Sequence, residues 1–320
     1  MPFKTAEETF LSQGVRCAAR VYRPDVEQSR PAIVMGHGFG GVRALRLYAY
    51  AERFAEAGYV VVVFDYRGFG ESDGSPRQVL DVTMQLQDWR AALQFARTLP
   101  SVDPQRLVAW GTSFGGGHVI TLAGQGEPLA AIIAHVPHVS GPAAVRATGL
   151  RSCLRLAPLA LRDQVAALLG RGPVHVEAVG LPGTAAVMTS PDAVPGLDTQ
   201  IAAAGLKTGD YPQHVAARIG LTIGRYSPIR HAAAVTCPAL VQIAADDAVT
   251  PRAVAEKAAA RMADATVHVY DCGHFDPYVE PHFARTLRDQ LAFLTTRVPV
   301  RPATGAPATA APTPVPGACA

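Results

Sequence analysis

The stretch Trp110–His118, WGTSFGGGH, places Ser113 between two close glycines, directly after the apolar run RLVAW. That run predicts a buried strand, and the residues from Phe114 onward predict a helix. A tight turn from strand to helix strains its central residue and exposes the side-chain hydroxyl, and the flanking glycines leave room for strand and helix to approach. The pattern alone also fits a glycine-rich turn with a helix-capping serine. The strand and helix predicted around it favour a nucleophilic Ser113.

The rest of the chain repeats this alternation of strands and helices. Short β-rich runs such as PAIVMG, YVVVVF and LAAIIAH alternate with amphipathic helical patterns, after an antiparallel hairpin that turns at Gly14. Such repetition implies a mostly parallel sheet covered by helices on both faces. The sequence therefore predicts an α/β fold with a core of residues 1–137 and 231–298.

Two segments depart from the alternation. Residues 138–230 mix Gly, Pro and short apolar helical stretches and are too long for a plain connection, so we expect a helical cap inserted over one end of the sheet. Residues 299–320 are rich in Pro, Ala and Thr and cannot bury a core, which predicts a disordered tail.

Composition excludes several classes of protein. The net charge of +3 is small for 320 residues and forms no basic stripe, so we expect no nucleic-acid partner. The longest apolar run is too short to span a bilayer, and the N-terminal residues carry no secretory signal. The five cysteines are odd in number and show no CxxC spacing, which is typical of free thiols. We therefore expect a cytoplasmic protein.

Three further motifs follow predicted strands, where an open α/β sheet binds its ligands. HGFGG (37–41) and the residue after Ser113 offer the backbone N–H groups of Phe39 and Phe114 as donors to an oxyanion, whereas His37 is expected to brace the loop. AADDAVTP (244–251) offers a carboxylate from Asp246 or Asp247, one of which is expected to cap the next helix. CGHFDPY (272–278) places His274 behind a glycine, and Asp276 is expected to shape the turn with Pro277.

The order serine, aspartate, histidine is that of the α/β-hydrolase triad. With HGFGG, FDYRGFGESDGSPRQ, DPQRLVAWGTSFGGGH, DDAVTP and GHFDPY, the sequence resembles the bacterial branch of α/β-hydrolases that includes dienelactone hydrolases, acetyl xylan esterases and Xaa-Pro peptidases. The resemblance covers roughly residues 31–138 and 238–298. It implies that the acid lies four residues before the proline of D-x-x-x-P, at Asp247, with Asp246 as the alternative. It also implies bracing roles for Asp65, Arg67 and Ser72.

These residues predict a serine hydrolase with Ser113, His274 and Asp247 as catalytic residues and no cofactor or metal. His135 and His138 lack a third ligand in sequence and are not expected to bind a metal. A carboxylic ester is the first substrate choice, a thioester the second and a peptide or amide the third. A non-catalytic ligand-binding relative is the rival class, although such proteins usually lack a triad member. The sequence leaves the oligomeric state open, a homodimer included.

Overall fold

A computed structural model describes residues 1–26 and 28–300 of the chain. Most of the predicted tail, residues 301–320, lies outside the described residues. Val300 is half-buried and packs against the core.

Ten strands form two sheets. Eight strands make one sheet in the order β1-β2-β4-β3-β5-β6-β9-β10, in which β2 is antiparallel to both neighbours and every other pairing beyond it is parallel. The strands are β1 Phe3–Ser12, β2 Val15–Pro24, β3 Arg30–Gly36, β4 Val60–Phe64, β5 Val102–Thr112, β6 Ala131–His135, β7 His175–Glu177, β8 His214–Ala216, β9 Ala239–Ala244 and β10 Ala265–Tyr270. The mostly parallel sheet confirms the predicted fold class.

The central strands are apolar along their whole length because helices cover both faces of the sheet. Every residue of β3, β4, β6 and β9 is buried, so these strands lack the alternation of a half-exposed strand. The edge strand β1 alternates exposed and more buried positions, as expected where one side faces water.

Helices form a layer on each face. The helices are α1 Leu47–Glu56, α2 Val82–Thr98, α3 Phe114–Gly124, α4 Gly141–Thr148, α5 Leu150–Leu168, α6 Ala193–Ala203, α7 Ile219–Thr222, α8 Arg252–Ala259 and α9 His282–Arg297. On one face, α2, α3 and α8 bury residues such as Trp89, Leu122 and Ala258. On the other face, α1 and α9 bury Phe54 and Leu294.

The segment between β6 and β9 holds α4 to α7 together with a small antiparallel sheet of β7 and β8. The sequence predicted helices here and gave no sign of the two short strands. Ser140 caps α4 by accepting a hydrogen bond from the amide of Ala143. The longest helix of the segment, α5, contains Pro158.

Within residues 1–26 and 28–300, no helix combines the length and apolar character that a membrane crossing requires. The cysteines of this part, Cys17, Cys153, Cys237 and Cys272, carry free thiols. Cys319 lies outside the described residues.

Candidate active site

Ser113 occupies a sharp turn between β5 and α3. Its backbone has φ 52° and ψ −115°, a left-handed conformation that is strained for a residue with a side chain. The turn is fixed by its neighbour β6, since the Ser113 amide donates to the His135 carbonyl over 2.9 Å. A methyl group at Gly115 would lie 2.6 Å from the carbonyl oxygen of His37, so this position accepts only glycine. The G-x-S-x-G spacing therefore reflects the close packing of α3 on the loop after β3.

His274 connects Ser113 to a buried carboxylate. Its Nε2 lies 3.0 Å from Ser113 Oγ, and its Nδ1 lies 2.7 Å from Asp247 Oδ2. All three side chains are buried, although they come from the ends of three different strands, β5, β9 and β10. In this arrangement Nδ1–H donates to the carboxylate and Nε2 accepts from the serine hydroxyl.

The two adjacent aspartates differ sharply in environment. Asp246 is exposed, whereas Asp247 is buried and oriented toward His274. Oδ1 of Asp247 accepts from the amides of Val249 and Thr250, so it also holds its own turn. We expected one aspartate to orient the histidine and the other to cap a helix. The capping part of that expectation is wrong, because α8 begins at Arg252 without a side-chain cap and Asp247 bonds within its own turn instead.

Phe39 and Phe114, whose amides the sequence predicts as oxyanion donors, both adjoin the serine. A Cβ atom at Gly38 would lie 3.0 Å from that of Ser113, so the loop after β3 passes directly over the turn. Phe114 is the first residue of α3, where amide groups have no carbonyl partner in their own helix. Neither amide donates to another residue in the part of the chain that the structure describes. Their role as donors to an oxyanion stays a prediction.

Known proteins share this architecture. The family of X-Pro dipeptidyl-peptidases (S15 family) matches residues 13–171. The solved structure of the α/β hydrolase GrgF from Penicillium sp. sh18 superposes with a TM-score of 0.77 at 21% identity and covers 93% of this chain and 99% of that one. Quorum-quenching protein AidA of Acinetobacter baumannii is 41% identical over 301 residues, 94% of this chain and 98% of that protein. The chain belongs to the α/β-hydrolase superfamily.

A shorter match joins this hydrolase to a thiohydrolase. Thiohydrolase aneE of Aspergillus aculeatus is 38% identical over 119 residues, which are 37% of each protein.

The hydrolase has two cavities that meet at Ser113. Phe39, Ser113 and Met188 line both, and the empty volumes are about 620 and 500 Å³, part of each open to solvent. The first cavity extends between the loop after β3 and the inserted segment, and its lining includes Gly40, Val42, Leu197, Gln200, Tyr211 and His274. The second lies under α4, and its lining includes Phe114, Ala144, Thr148, Ser190, Ile223 and Val249.

Neither cavity is lined by Asp, Glu, Lys or Arg among the described residues. The polar groups in the linings are hydroxyls, amides and histidines. A charged group of a ligand would therefore lose its hydration without gaining an ion pair. The cavities suit an uncharged ligand on both sides of Ser113.

His37 is fully buried and braces the loop after β3, as the sequence predicted. Its Nδ1 lies 2.9 Å from the Gly38 carbonyl oxygen, and burial lowers the pKa of its imidazole. Asp65 beside it accepts a hydrogen bond from the Arg43 amide and forms an ion pair with the buried Arg43 guanidinium. Together, His37, Asp65 and Arg43 hold the loop that carries Phe39 in place.

The other family-motif residues are structural as well. Ser72 Oγ donates to the Asp65 carbonyl over 2.7 Å and accepts from the Ala18 amide. The Arg67 side chain is buried against Asp88. Asp276 accepts from the Gly273 amide over 2.7 Å and begins a single 3₁₀ turn, which matches its expected role.

Two further histidines, His135 and His138, are buried and hydrogen-bonded. His135 Nδ1 donates to the Gln242 side-chain oxygen over 2.9 Å, and His138 Nε2 approaches the Tyr226 carbonyl. In the described part of the chain, no cluster of three or more His, Cys, Asp or Glu is arranged to hold a metal ion.

Sequence reasoning missed Thr250 and the lining residues of the inserted segment. Thr250 Oγ1 donates to Asp247 Oδ2 over 2.7 Å and lies 3.5 Å from His274 Nδ1. Thr250 follows Asp247 by three residues, and an Asx-type turn at this spacing could have predicted the contact between them. Met188, Gln200 and Tyr211 belong to no periodic pattern, so the sequence held no comparable signal for them.

Proposed function

We propose that this hydrolase cleaves a carboxylic ester through an acyl-enzyme, with Ser113, His274 and Asp247 as its catalytic residues. The observation that carries the proposal is the continuous hydrogen-bonded line from Ser113 Oγ through His274 to Asp247. A strained, buried serine beside an imidazole is the arrangement of an activated nucleophile. Membership of the α/β-hydrolase superfamily supports the same chemistry.

In the proposed mechanism, Ser113 Oγ attacks the ester carbonyl carbon and its proton passes to His274 Nε2. The carboxylate of Asp247 holds the imidazole and stabilises the imidazolium. The carbonyl oxygen becomes an oxyanion that accepts hydrogen bonds from the amides of Phe39 and Phe114. When the C–O bond breaks, the leaving alkoxide takes the proton from His274. Water then loses a proton to His274 and attacks the acyl carbon. The bond from that carbon to Ser113 Oγ breaks, Oγ takes the proton back from His274, and the acid is released.

The uncharged cavities narrow the substrate class. A dipeptidyl peptidase must hold a free α-ammonium group, and neither lining offers a carboxylate for that purpose. This argues against peptidase activity in this chain despite the S15 family match. We propose an uncharged ester with apolar groups on both sides of the scissile bond, and residues 138–230 as the cap that shapes both cavities.

A thioester is the second candidate substrate, favoured by the match to a thiohydrolase. The AidA relative is named for quorum quenching, so we also propose bacterial signal molecules that contain an ester or lactone carbonyl as candidates. The free cysteines of the described part agree with a cytoplasmic location, which stays a proposal.

The test is labelling with a fluorophosphonate, read by intact mass and peptide mapping. We expect one label, on Ser113, that is lost in His274→Ala. A folded protein that takes no label, or a label elsewhere, contradicts the proposed nucleophile. Esters of graded chain length, matched thioesters and an X-Pro anilide then rank the substrate classes. A preference for the anilide contradicts the ester assignment while leaving the nucleophile intact.

A further inference from the structure

Helix α5 carries an apolar stripe that no described residue of the chain covers. Six large apolar side chains, five in α5 and one at its C-terminal cap residue, are between 54% and 77% exposed. They are Leu150, Leu154, Leu161, Val165, Leu168 and the cap residue Leu169. Of the eleven large hydrophobic side chains that are exposed among the described residues, these are six. The exposure is therefore concentrated on one helix rather than scattered over the surface.

The stripe has the spacing of a helix–helix interface. Leu150, Leu154, Ala157, Leu161 and Leu168 follow steps of four, three, four and seven residues, which place them on one face of the helix. The opposite face of α5 is buried and includes Leu156, Ala160 and Asp163. The helix is thus apolar on two faces, but the cap accounts for only one of them.

The area of the stripe agrees with what a stable dimer needs. Burying a Leu or Val side chain removes on the order of 100 Å² from water, so the five leucines and one valine that are more than half exposed leave roughly 400 Å² of apolar surface. A standard interface covers about 800 Å² per partner, of which somewhat more than half is apolar. The 19 residues of α5 span about 28 Å, enough for this area.

The charges around the stripe favour a protein partner over a lipid surface. Membrane-surface helices carry aromatic residues on the apolar face and many Lys or Arg residues on the polar face. Helix α5 contains no aromatic residue and no lysine. Of its three arginines, Arg155 donates to the Gly183 carbonyl and the side chain of Arg151 packs against Gly183, so the chain itself holds two, and Arg162 is exposed.

We propose that the α5 stripe is the interface of a homodimer. An apolar stripe is complementary to a second copy of itself, which is the requirement of a two-fold interface. The interface adjoins the site: α4, joined to α5 at Gly149, contributes Ala144 and Thr148 to the second cavity. A partner chain on α5 would hold this helical hairpin in place over that cavity.

The test is the mass of the full chain in sedimentation velocity over a dilution series. We expect two chains of 33.6 kDa per particle at micromolar concentration. The double variant Leu154→Glu with Leu161→Glu is expected to raise the dimer Kd on the order of 100-fold or more, because it would bury charges in an apolar interface. Leu11→Glu, at a leucine of β1 that is 69% exposed, is the matched control and keeps the dimer.

Three results would overturn the proposal. These are a single-chain mass for the native protein, an unchanged Kd in the double variant, and a monomer that sediments with anionic vesicles through α5. Far-UV circular dichroism checks that the variants fold. If the double variant does not fold, Leu161→Ser replaces it and is expected to weaken the dimer by a smaller factor, while an unchanged Kd contradicts the interface.

Discussion

The core sheet and the inserted segment contain similar leucines but use them differently. Leu93 of α2 and Leu122 of α3 are fully buried against the sheet, whereas Leu154 and Leu161 of α5 are more than half exposed. In the core, each helix covers a face that the sheet provides. In the segment, α5 has a second apolar face with no counterpart in the described chain. The apolar content of a helix thus predicts that it packs against another surface, but it does not identify that surface.

The two regions also divide the site. The groups proposed for the chemistry all follow core strands, while the inserted segment contributes Met188, Gln200 and Tyr211 to the cavity walls. If this division is correct, changes in the core should alter the reaction, and changes in the segment should alter which molecules enter.

The largest expected effect is the loss of activity in Ser113→Ala. We expect kcat/KM on the best ester to fall on the order of 10⁵-fold or more, because the nucleophile is gone. The thermal unfolding midpoint should change little, since alanine keeps the same backbone conformation and fits the same buried space. Ser190→Ala, at a serine of the segment that lines the second cavity, is the matched control and should still label with a fluorophosphonate. Full activity in Ser113→Ala would contradict the proposal that Ser113 is the nucleophile.

The next effect separates the two aspartates. Asp247→Asn is expected to lower kcat by about 10⁴-fold, because the amide favours the wrong tautomer of His274 while it still accepts from the turn. Asp246→Asn should stay close to the native rate, since Asp246 is exposed. Steady-state kinetics of both variants on one ester measure the difference, and the reverse ranking would transfer the acid to Asp246.

A smaller effect compares the two kinds of leucine directly. Leu122→Ala is expected to lower the free energy of unfolding by about 3 kcal/mol, since it leaves a cavity in the core. Leu161→Ala should change it by less than about 0.5 kcal/mol in the monomer, because its side chain is already in water. Urea titration at low protein concentration measures both. Equal losses would mean that the core and the stripe are packed alike.

The smallest effect concerns acid stability. Burial lowers the pKa of His118 to about 3 and that of His135 and His138 to about 4, so these imidazoles are neutral in the fold. The unfolded chain binds protons first, near pH 6.5, so stability should fall as pH decreases below that value. His118→Gln should flatten this dependence by about 1.4 kcal/mol per pH unit between pH 6 and 4. An unchanged slope would contradict a neutral His118.

The sequence was sufficient for the core because its signals are local and repeated. Short β-branched runs such as Val60–Phe64 favour interior strands, and the residues after each strand gather at one edge of a parallel sheet. The choice between Asp246 and Asp247 rested on the D-x-x-x-P motif of the resemblance, because the strand pattern does not tell which of two adjacent side chains faces the histidine. The cavity walls could not be predicted, because Met188 and Tyr211 reach the site through tertiary packing alone.

Asp247 has a consequence for anyone who wants a stable but inactive protein. Its carboxylate accepts hydrogen bonds from two amides and one hydroxyl of its own loop, so the side chain also holds that loop in its conformation. Asp247→Ala would release that loop, and any lost turnover would be mixed with lost order. The Ser113 hydroxyl bonds to His274 and not to its own loop, so its replacement is expected to leave the pocket intact. A substrate-trapping variant for crystallography should therefore be made at Ser113.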